Sequence, residues 1–325
     1  MAQTEAANNR SEGGYEPIRL SVTHRLSLPW LKRTYRILHV TDVHIATAYP
    51  DEPEDFLREA VLRGGSYFPP EGGYSAATRF PLFFRKAREL GADCVLLTGD
   101  IIDFASRSNL DMLAETLDAA GIPSVYCLGN HDWSSMYDYH TPGQRALIAE
   151  RFRGIVNRAD ARRAAGPGKS AAAALPPSPH YRLEDMGEFL IFAFDNTEDR
   201  VAPEAAEAAE TVLRGTKPVL LACHIPFISP TLIAPTFDYW KNVLLIGKGG
   251  LEPDAVTARF IELMNAPESP VFAVAAGHIH FDHEDKLSDR IIQFTTAEGH
   301  RGDCGLIELS PGGAQKQASS GKEQQ

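Results

Sequence analysis

The side chains best equipped for chemistry in this sequence are carboxylates and imidazoles that recur just behind short apolar runs. Asp42-Val43-His44 follows ILHVT. On an extended strand, residues two apart project to one side, so Asp42 and His44 could grip a single cation with a carboxylate and an imidazole. Gly99-Asp100-Ile101-Ile102-Asp103 follows CVLLT, where the glycine permits a sharp turn and Asp100 carries two oxygens able to bridge two cations. Gly129-Asn130-His131-Asp132, behind SVYCL, offers an amide oxygen, an imidazole and a carboxylate in succession. His224 closes PVLLAC, and Gly277-His278-Ile279-His280 closes VFAVAA. Taken singly, each segment also reads as a strand ending in a polar turn, and His224 as a satisfied core histidine. Such readings supply no cause for their common placement at strand ends, which is where α/β folds gather ligands.

The elements that must position these residues are legible as an alternation. Apolar or β-branched runs predict buried strands over residues 37–42, 94–100, 124–129, 189–195, 218–224, 270–278, 290–297 and 304–309. Helix-period segments lie between several of them: Arg79–Leu90, Leu110–Ala120, Gln144–Arg153, Pro203–Arg214 and Asp254–Asn265. The last strands follow one another without helices, which favours a mixed sheet or two stacked sheets over a purely parallel one. Residues 17–310 are expected to form one domain, interrupted by excursions at 46–75 and 155–180. The Gly-rich polar ends, 1–16 and 311–325, are expected to be tails.

Composition narrows the function. Of 325 residues, 43% are hydrophobic, enough for a substantial core, so a wholly disordered chain is excluded. A net charge of −11 argues against avid binding to nucleic acid. Cys94, Cys127, Cys223 and Cys304 are widely separated and three sit inside apolar runs, as small buried hydrophobes do. No run of 18 apolar residues is present, and a soluble, cytoplasmic protein with no membrane partner is expected.

As an ordered set, DVH, GDIID, GNHD, the single His224 and GHIH resemble the signature of the calcineurin-like metallophosphoesterase superfamily over about residues 37–280. The resemblance implies a mixed α/β fold, a four-layer αββα sandwich of two stacked mixed sheets flanked by helices, carrying two divalent metal ions. It places Asp42, His44 and His280 on one ion, Asn130, His224 and His278 on the other, and Asp100 between them. His131 would be the general acid facing the leaving group, oriented by Asp103; Asp132 receives no role. Two ions ~3.5–4 Å apart can generate hydroxide from a bridging water near neutral pH for in-line attack on phosphorus. A donor set of imidazole, carboxylate and amide without thiolate suits Mn, Fe, Zn, Ni or Co.

Departures from the superfamily pattern bear on the substrate, which is expected to be a small-molecule phosphate ester. Phe104-Ala105 follows GDIID where the protein Ser/Thr phosphatases have Arg-Gly, and Asp103 stands where purple acid phosphatases place a Tyr. The sequence looks like the phosphodiesterase and broad-specificity branches, hydrolysing phosphodiesters or phosphomonoesters. A nuclease of the same superfamily and a non-catalytic scaffold on the same fold are the alternatives. Tyr49, Tyr67 and Phe68, with Trp133, Tyr137 and Tyr139, are candidates to line the mouth and stack on a substrate ring. His39 reads as core, and His283 and His300 are left outside the site.

Overall fold

In the computed structural model, the residues described are 15–134, 142–163, 175 and 178–312. Most of the two expected tails, much of the 155–180 excursion, and Tyr137 and Tyr139 lie outside them.

The described strands form two mixed sheets. The first has five strands: β1 (Arg19–Leu28), β2 (Tyr35–Val40), β3 (Cys94–Thr98), β4 (Ser124–Cys127) and β11 (Asp303–Pro311), in the order β1-β11-β2-β3-β4. The second comprises β5 (Tyr181–Asp185), β6 (Leu190–Phe194), β7 (Val219–Ala222), β8 (Val271–Ala276), β9 (His283–Lys286) and β10 (Ile292–Thr295), in the order β5-β6-β7-β8-β10-β9. Strands β2, β3 and β4 run parallel, as do β6, β7, β8 and β10, whereas β11 is antiparallel to β2 and the edge strands β5 and β9 are antiparallel to their neighbours.

Period-2 alternation along these strands creates the layers. Ile37, Leu96, Val125, Ile191, Ala193, Leu220, Ala273 and Phe294 meet in a core that draws on both sheets. Their neighbours Leu38, Val40, Val95 and Leu97 turn the other way and pack on helices α2 (Ala76–Glu89), α3 (Arg107–Ala119) and α4 (Pro142–Arg163) through Phe80, Phe83, Phe84, Leu113 and Phe152. On the far side, Phe192, Phe194 and Leu221 meet α5 (Pro203–Leu213) and α7 (Ala255–Asn265) through Ala209, Val212 and Phe260. Each fully buried Phe or Leu stabilises the fold by about 1.5–3 kcal/mol relative to exposure. The result is the four-layer mixed α/β sandwich, two stacked sheets flanked by helices.

Several elements differ from expectation. Strands β1, β5 and β9 were not foreseen. β1 (RLSVTHRLSL) and β9 (HEDK) lie at sheet edges and are partly exposed, so neither needs the continuous apolar run that marks a central strand. Helix α2 begins three residues earlier than expected, where Ser75 Oγ accepts a hydrogen bond from Thr78 N at 3.3 Å. Helix α4 continues ten residues beyond Arg153, into the stretch expected to be a loop. The 46–75 excursion contains α1 (Glu54–Leu62) and a π-helical turn, Arg63–Tyr67. A short helix α6 (Ile233–Trp240) follows β7.

Candidate metal centre

The motif residues stand past the ends of β2, β3, β4, β7 and β8, where the two sheets face each other. Every one of these strands stops before its motif, so the expected period-2 projection of Asp42 and His44 does not hold. Asp42 (φ 53°), His44 (φ 52°), Asp100 (φ 51°), His278 (φ 70°) and His280 (φ 62°) instead take left-handed backbone. This conformation is sparsely populated by non-glycine residues and gathers at functional sites where the surroundings enforce it. Here the enforcement is visible: Asp42 N donates to Gly99 O at 3.0 Å, His44 N to Asp100 O at 2.9 Å and Ile45 N to Ile101 O at 3.0 Å. The loops behind β2 and β3 therefore stay zipped beyond their strands. Two motif glycines are required by close approach, since a Cβ on Gly129 would lie 2.1 Å from Asp100 Oδ1, and one on Gly277 would lie 1.8 Å from Thr41 Oγ1.

Three clusters of candidate donor atoms result, the atoms of each within 4.8 Å of one another: Asp42, His44 and His280; Asp100, His224 and His278; and His44, Asp100 and His131. Asp100 belongs to two of them, with Oδ2 3.2 Å from His224 Nε2 and 3.9 Å from His44 Nε2. Asn130 Oδ1 approaches His224 Nε2 to 3.0 Å and His278 Nδ1 approaches the same nitrogen to 3.1 Å. Thr98 O, 2.8 Å from His224 Nδ1, holds the proton on that nitrogen and turns Nε2 to the site. His280 Nε2 lies 3.2 Å from Asp42 Oδ1. The structure thus brings together Asp42, His44, Asp100, Asn130, His224, His278 and His280.

His131 and Asp103 flank this group. His131 Nδ1 lies 2.9 Å from Asp103 Oδ1, and the same oxygen lies 3.0 Å from His44 Nδ1. Arg63, a residue that no motif flagged, completes the arrangement. Its Nη2 donates to Asp103 Oδ1 at 2.9 Å and its Nε donates to Asp103 Oδ2, while Nη2 stands 3.4 Å from His131 Nδ1. A lone arginine inside a long excursion carries no spacing signal, so only the fold could reveal it. Asp132, without a role in the sequence, receives N–H groups from Gly129 at 2.7 Å, Asp100 at 2.9 Å and Ile102 at 2.9 Å. It ties the GDIID and GNHD turns to each other.

Electrostatics follow from this packing. Burial pushes Asp103 up, but His131, His44 and Arg63 outweigh it and hold the carboxyl well below the usual range. Asp42 and Asp100 are held low against burial in the same way, by His280 and His224 respectively above all. Burial pulls His131 down, yet Asp100 and Asp103 outweigh it and raise it to about 9. Burial and the Asp100 carboxylate push Asp132 up to about 7; its three aimed N–H donors oppose them and favour the ionised form.

Two buried donor atoms test whether the residues suit cations. Asp42 Oδ1 and His44 Nε2 make no hydrogen bond of good geometry, although His280 Nε2 stands 3.2 Å from the former, and both lie among the clustered donors. Leaving such a group unanswered costs about 1–3 kcal/mol. A divalent cation answers a carboxylate oxygen and an imidazole lone pair together, and the nitrogen–oxygen donor set without thiolate fits one.

At the rim, Phe68 stacks on the His44 ring at 4.2 Å and 8°, packing on the site where it was expected to be available for a substrate ring. Trp133 is buried against His180, its ring centroid 5.4 Å away. Tyr67 is 60% exposed and remains available. A cavity of about 600 Å³ adjoins the cluster, bordered by Asn130, His278, Trp133, Arg145 and Thr197. His300, left out of the site, is buried with its ring 5.9 Å from that of His280, whereas His283 contacts Thr231 Oγ1 at 2.9 Å on the outer edge strand. The four cysteines are buried thiols outside any disulfide, as expected. Among the described residues, no helix is long and apolar enough to cross a membrane.

The family model of calcineurin-like phosphoesterases matches residues 35–282. No curated protein matches the chain. Among solved structures, the chain is similar to a dimetal phosphatase from Danio rerio, with 15% identity over 82% of this chain and 88% of the other and a TM-score of 0.46. It is similar also to the purple acid phosphatase PPD1 from yellow lupin, at 12% identity over 88% and 45% of the two chains and a TM-score of 0.47. A third, the calcineurin-like phosphoesterase YfkN from Bacillus subtilis, has 13% identity over 85% and 84%, with a TM-score of 0.42.

Proposed function

Since the chain belongs to the calcineurin-like phosphoesterase family, we propose that it hydrolyses small-molecule phosphodiesters or phosphomonoesters at a centre of two divalent cations. In this proposal Asp42, His44 and His280 hold one cation, Asn130, His224 and His278 the other, and Asp100 lies between them. The observation that carries it is a chain of adjoining donor clusters: two share Asp100, and His44 links one of these to a third that holds Asp42 and His280. When bound, such a pair supplies an activated water and offsets the charge that develops on the phosphoryl oxygens.

The remaining steps belong to the chain's own side chains. His131, held at Nδ1 by Asp103, donates a proton to the departing alkoxide oxygen, a contribution worth about 10²–10⁴-fold in rate. Asp103 accepts at His131 Nδ1, fixing the ring so that Nε2 is the nitrogen offered to the leaving group. Loops held through Asp132 and the zipped backbone keep Asp42, His44 and Asp100 in place before substrate arrives, which limits reorganisation during the reaction. The adjoining cavity of about 600 Å³ has room for the second ester group of a diester. Four buried cysteine thiols outside any disulfide accord with a reducing compartment, and we read the protein as cytoplasmic.

The test is to load purified protein with Mn and assay bis-p-nitrophenyl phosphate alongside the nitrophenyl monoester. Turnover that is abolished by chelation and restored by metal is expected, together with close to two ions per chain. Hydrolysis indifferent to chelation, or far less than one ion per chain, would overturn the proposal.

A further inference from the structure

Arg63 occupies a place that nothing in the metal-binding motifs requires. It opens the π-helical turn Arg63–Tyr67, closed by Phe68 N donating to Arg63 O at 2.8 Å. Turns of this type recur at functional sites because the extra residue in the ring aims a side chain differently from an α-helix. Gly64 brings the turn against the strand-end loop, where a Cβ on it would lie 3.3 Å from Ala46 O, two residues after His44. The guanidinium then reaches inward, past the ring of Phe68 at 5.5 Å, to both oxygens of Asp103.

The geometry divides the labour at Asp103. Its Oδ1 serves His131, His44 and Arg63 together, so one buried carboxylate orients the general acid and a candidate metal ligand. A carboxylate shared between two rings can rotate to favour either. A guanidinium gripping both oxygens in a planar fork fixes the carboxylate plane, which a single-point partner cannot do. Arg63 Nη2 lies 3.4 Å from His131 Nδ1, the nitrogen that Asp103 holds, and so approaches the ring at the nitrogen not assigned to the leaving group.

We propose that Arg63 is a positioning residue for leaving-group protonation, acting through Asp103 on His131 and tying the 46–75 excursion to the reaction. The proposal rests on the assignment of His131 as general acid. A group that positions a proton donor matters in proportion to the need for the proton. Nitrophenolate departs unprotonated with ease, whereas an aliphatic alkoxide does not.

The experiment compares R63Q and R63K with the wild type, all loaded with Mn, on phosphate esters whose leaving groups run from nitrophenol through phenol to an aliphatic alcohol. For R63Q, with metal content measured alongside, we expect kcat on the alkyl ester to fall about 30-fold or more beyond any fall on the nitrophenyl ester, within the range of general-acid contributions. KM should change little, and R63K should recover only part of the loss because an ammonium cannot form the fork. A crystal structure of R63Q should show the Asp103 carboxylate rotated and His131 displaced. A uniform loss along the series would show Arg63 to be structural or substrate-binding and overturn the proposal; so would no loss at all. If R63Q does not fold or retain metal, R63K carries the same comparison, and a flat leaving-group dependence there overturns it equally. Wild-type protein inactive on every ester would instead overturn the proposed function.

Discussion

Asp132 provides the sharpest structural test, because it is a motif residue whose work is done on backbone. Its carboxylate is fully buried and takes three N–H groups, from Gly129, Asp100 and Ile102, at 2.7–2.9 Å. Hydrogen bonds are worth about 0.5–1.5 kcal/mol to a neutral partner and about 1.5–3 kcal/mol to a charged one; this carboxyl, pushed up to about 7, lies between the two near neutrality, and orphaned buried donors keep their desolvation penalty. Three such bonds do not add fully, because the turns relax and admit water, so Asp132→Ala should cost roughly 4 kcal/mol. Asp132→Asn keeps one acceptor oxygen. The two donors that share Oδ2, Asp100 N and Gly129 N, compete for it with Ile102 N on Oδ1, and the amide NH₂ must face at least one donor. We expect roughly 2 kcal/mol for this variant. Urea denaturation at neutral pH, with and without metal, measures both. The same variants should lose metal affinity, since the turns they loosen carry Asp100 and Asn130. A loss below about 1 kcal/mol for Asp132→Ala, with metal binding unchanged, would refute the idea that this carboxylate holds the turns together.

Three further outcomes are expected. His131→Ala should lower kcat about 10²–10⁴-fold on esters of poor leaving groups while metal content stays at the wild-type level, and Asp100→Asn should abolish turnover with loss of metal; equal activity in both variants refutes the assignment. Chelation should lower the melting temperature, because a cation that binds the native chain and not the unfolded one stabilises it, and readdition of metal should restore it; a midpoint indifferent to chelator contradicts the reading of the orphaned Asp42 and His44 atoms. His39 is buried between Thr98 Oγ1 at 2.8 Å and Thr296 Oγ1 at 2.7 Å, and burial lowers it to about 3. The unfolded chain takes up this proton near pH 6.5 and the folded chain does not, so His39's contribution is intact above pH 6.5 and falls away as pH drops toward 3, by roughly 5 kcal/mol in full. His39→Gln should flatten that part of the acid limb in pH-dependent urea titrations, and an unchanged slope contradicts it.

Much of this protein could be read from the order of its residues. Apolar runs of β-strand length show themselves because buried parallel strands must be apolar on both faces, and Leu38 and Leu96 face opposite layers for that reason. Motifs behind those runs announce the candidate ligands because parallel strands deliver their ends to one edge, whatever their separation in sequence. What the tertiary structure decided are matters of long-range contact. The left-handed backbone at Asp42 and His44 depends on hydrogen bonds to the loop after β3, more than fifty residues away, and no local pattern encodes it. Edge strands such as β9 depend on a partner's unpaired backbone groups and not on their own composition. Asp132 acquires its place because Gly129, Asp100 and Ile102 point their N–H groups at one spot. Arg63 is brought to Asp103 by a turn in an excursion whose own residues spell no motif, since a charged side chain reveals its partner only once the backbone between them has been folded.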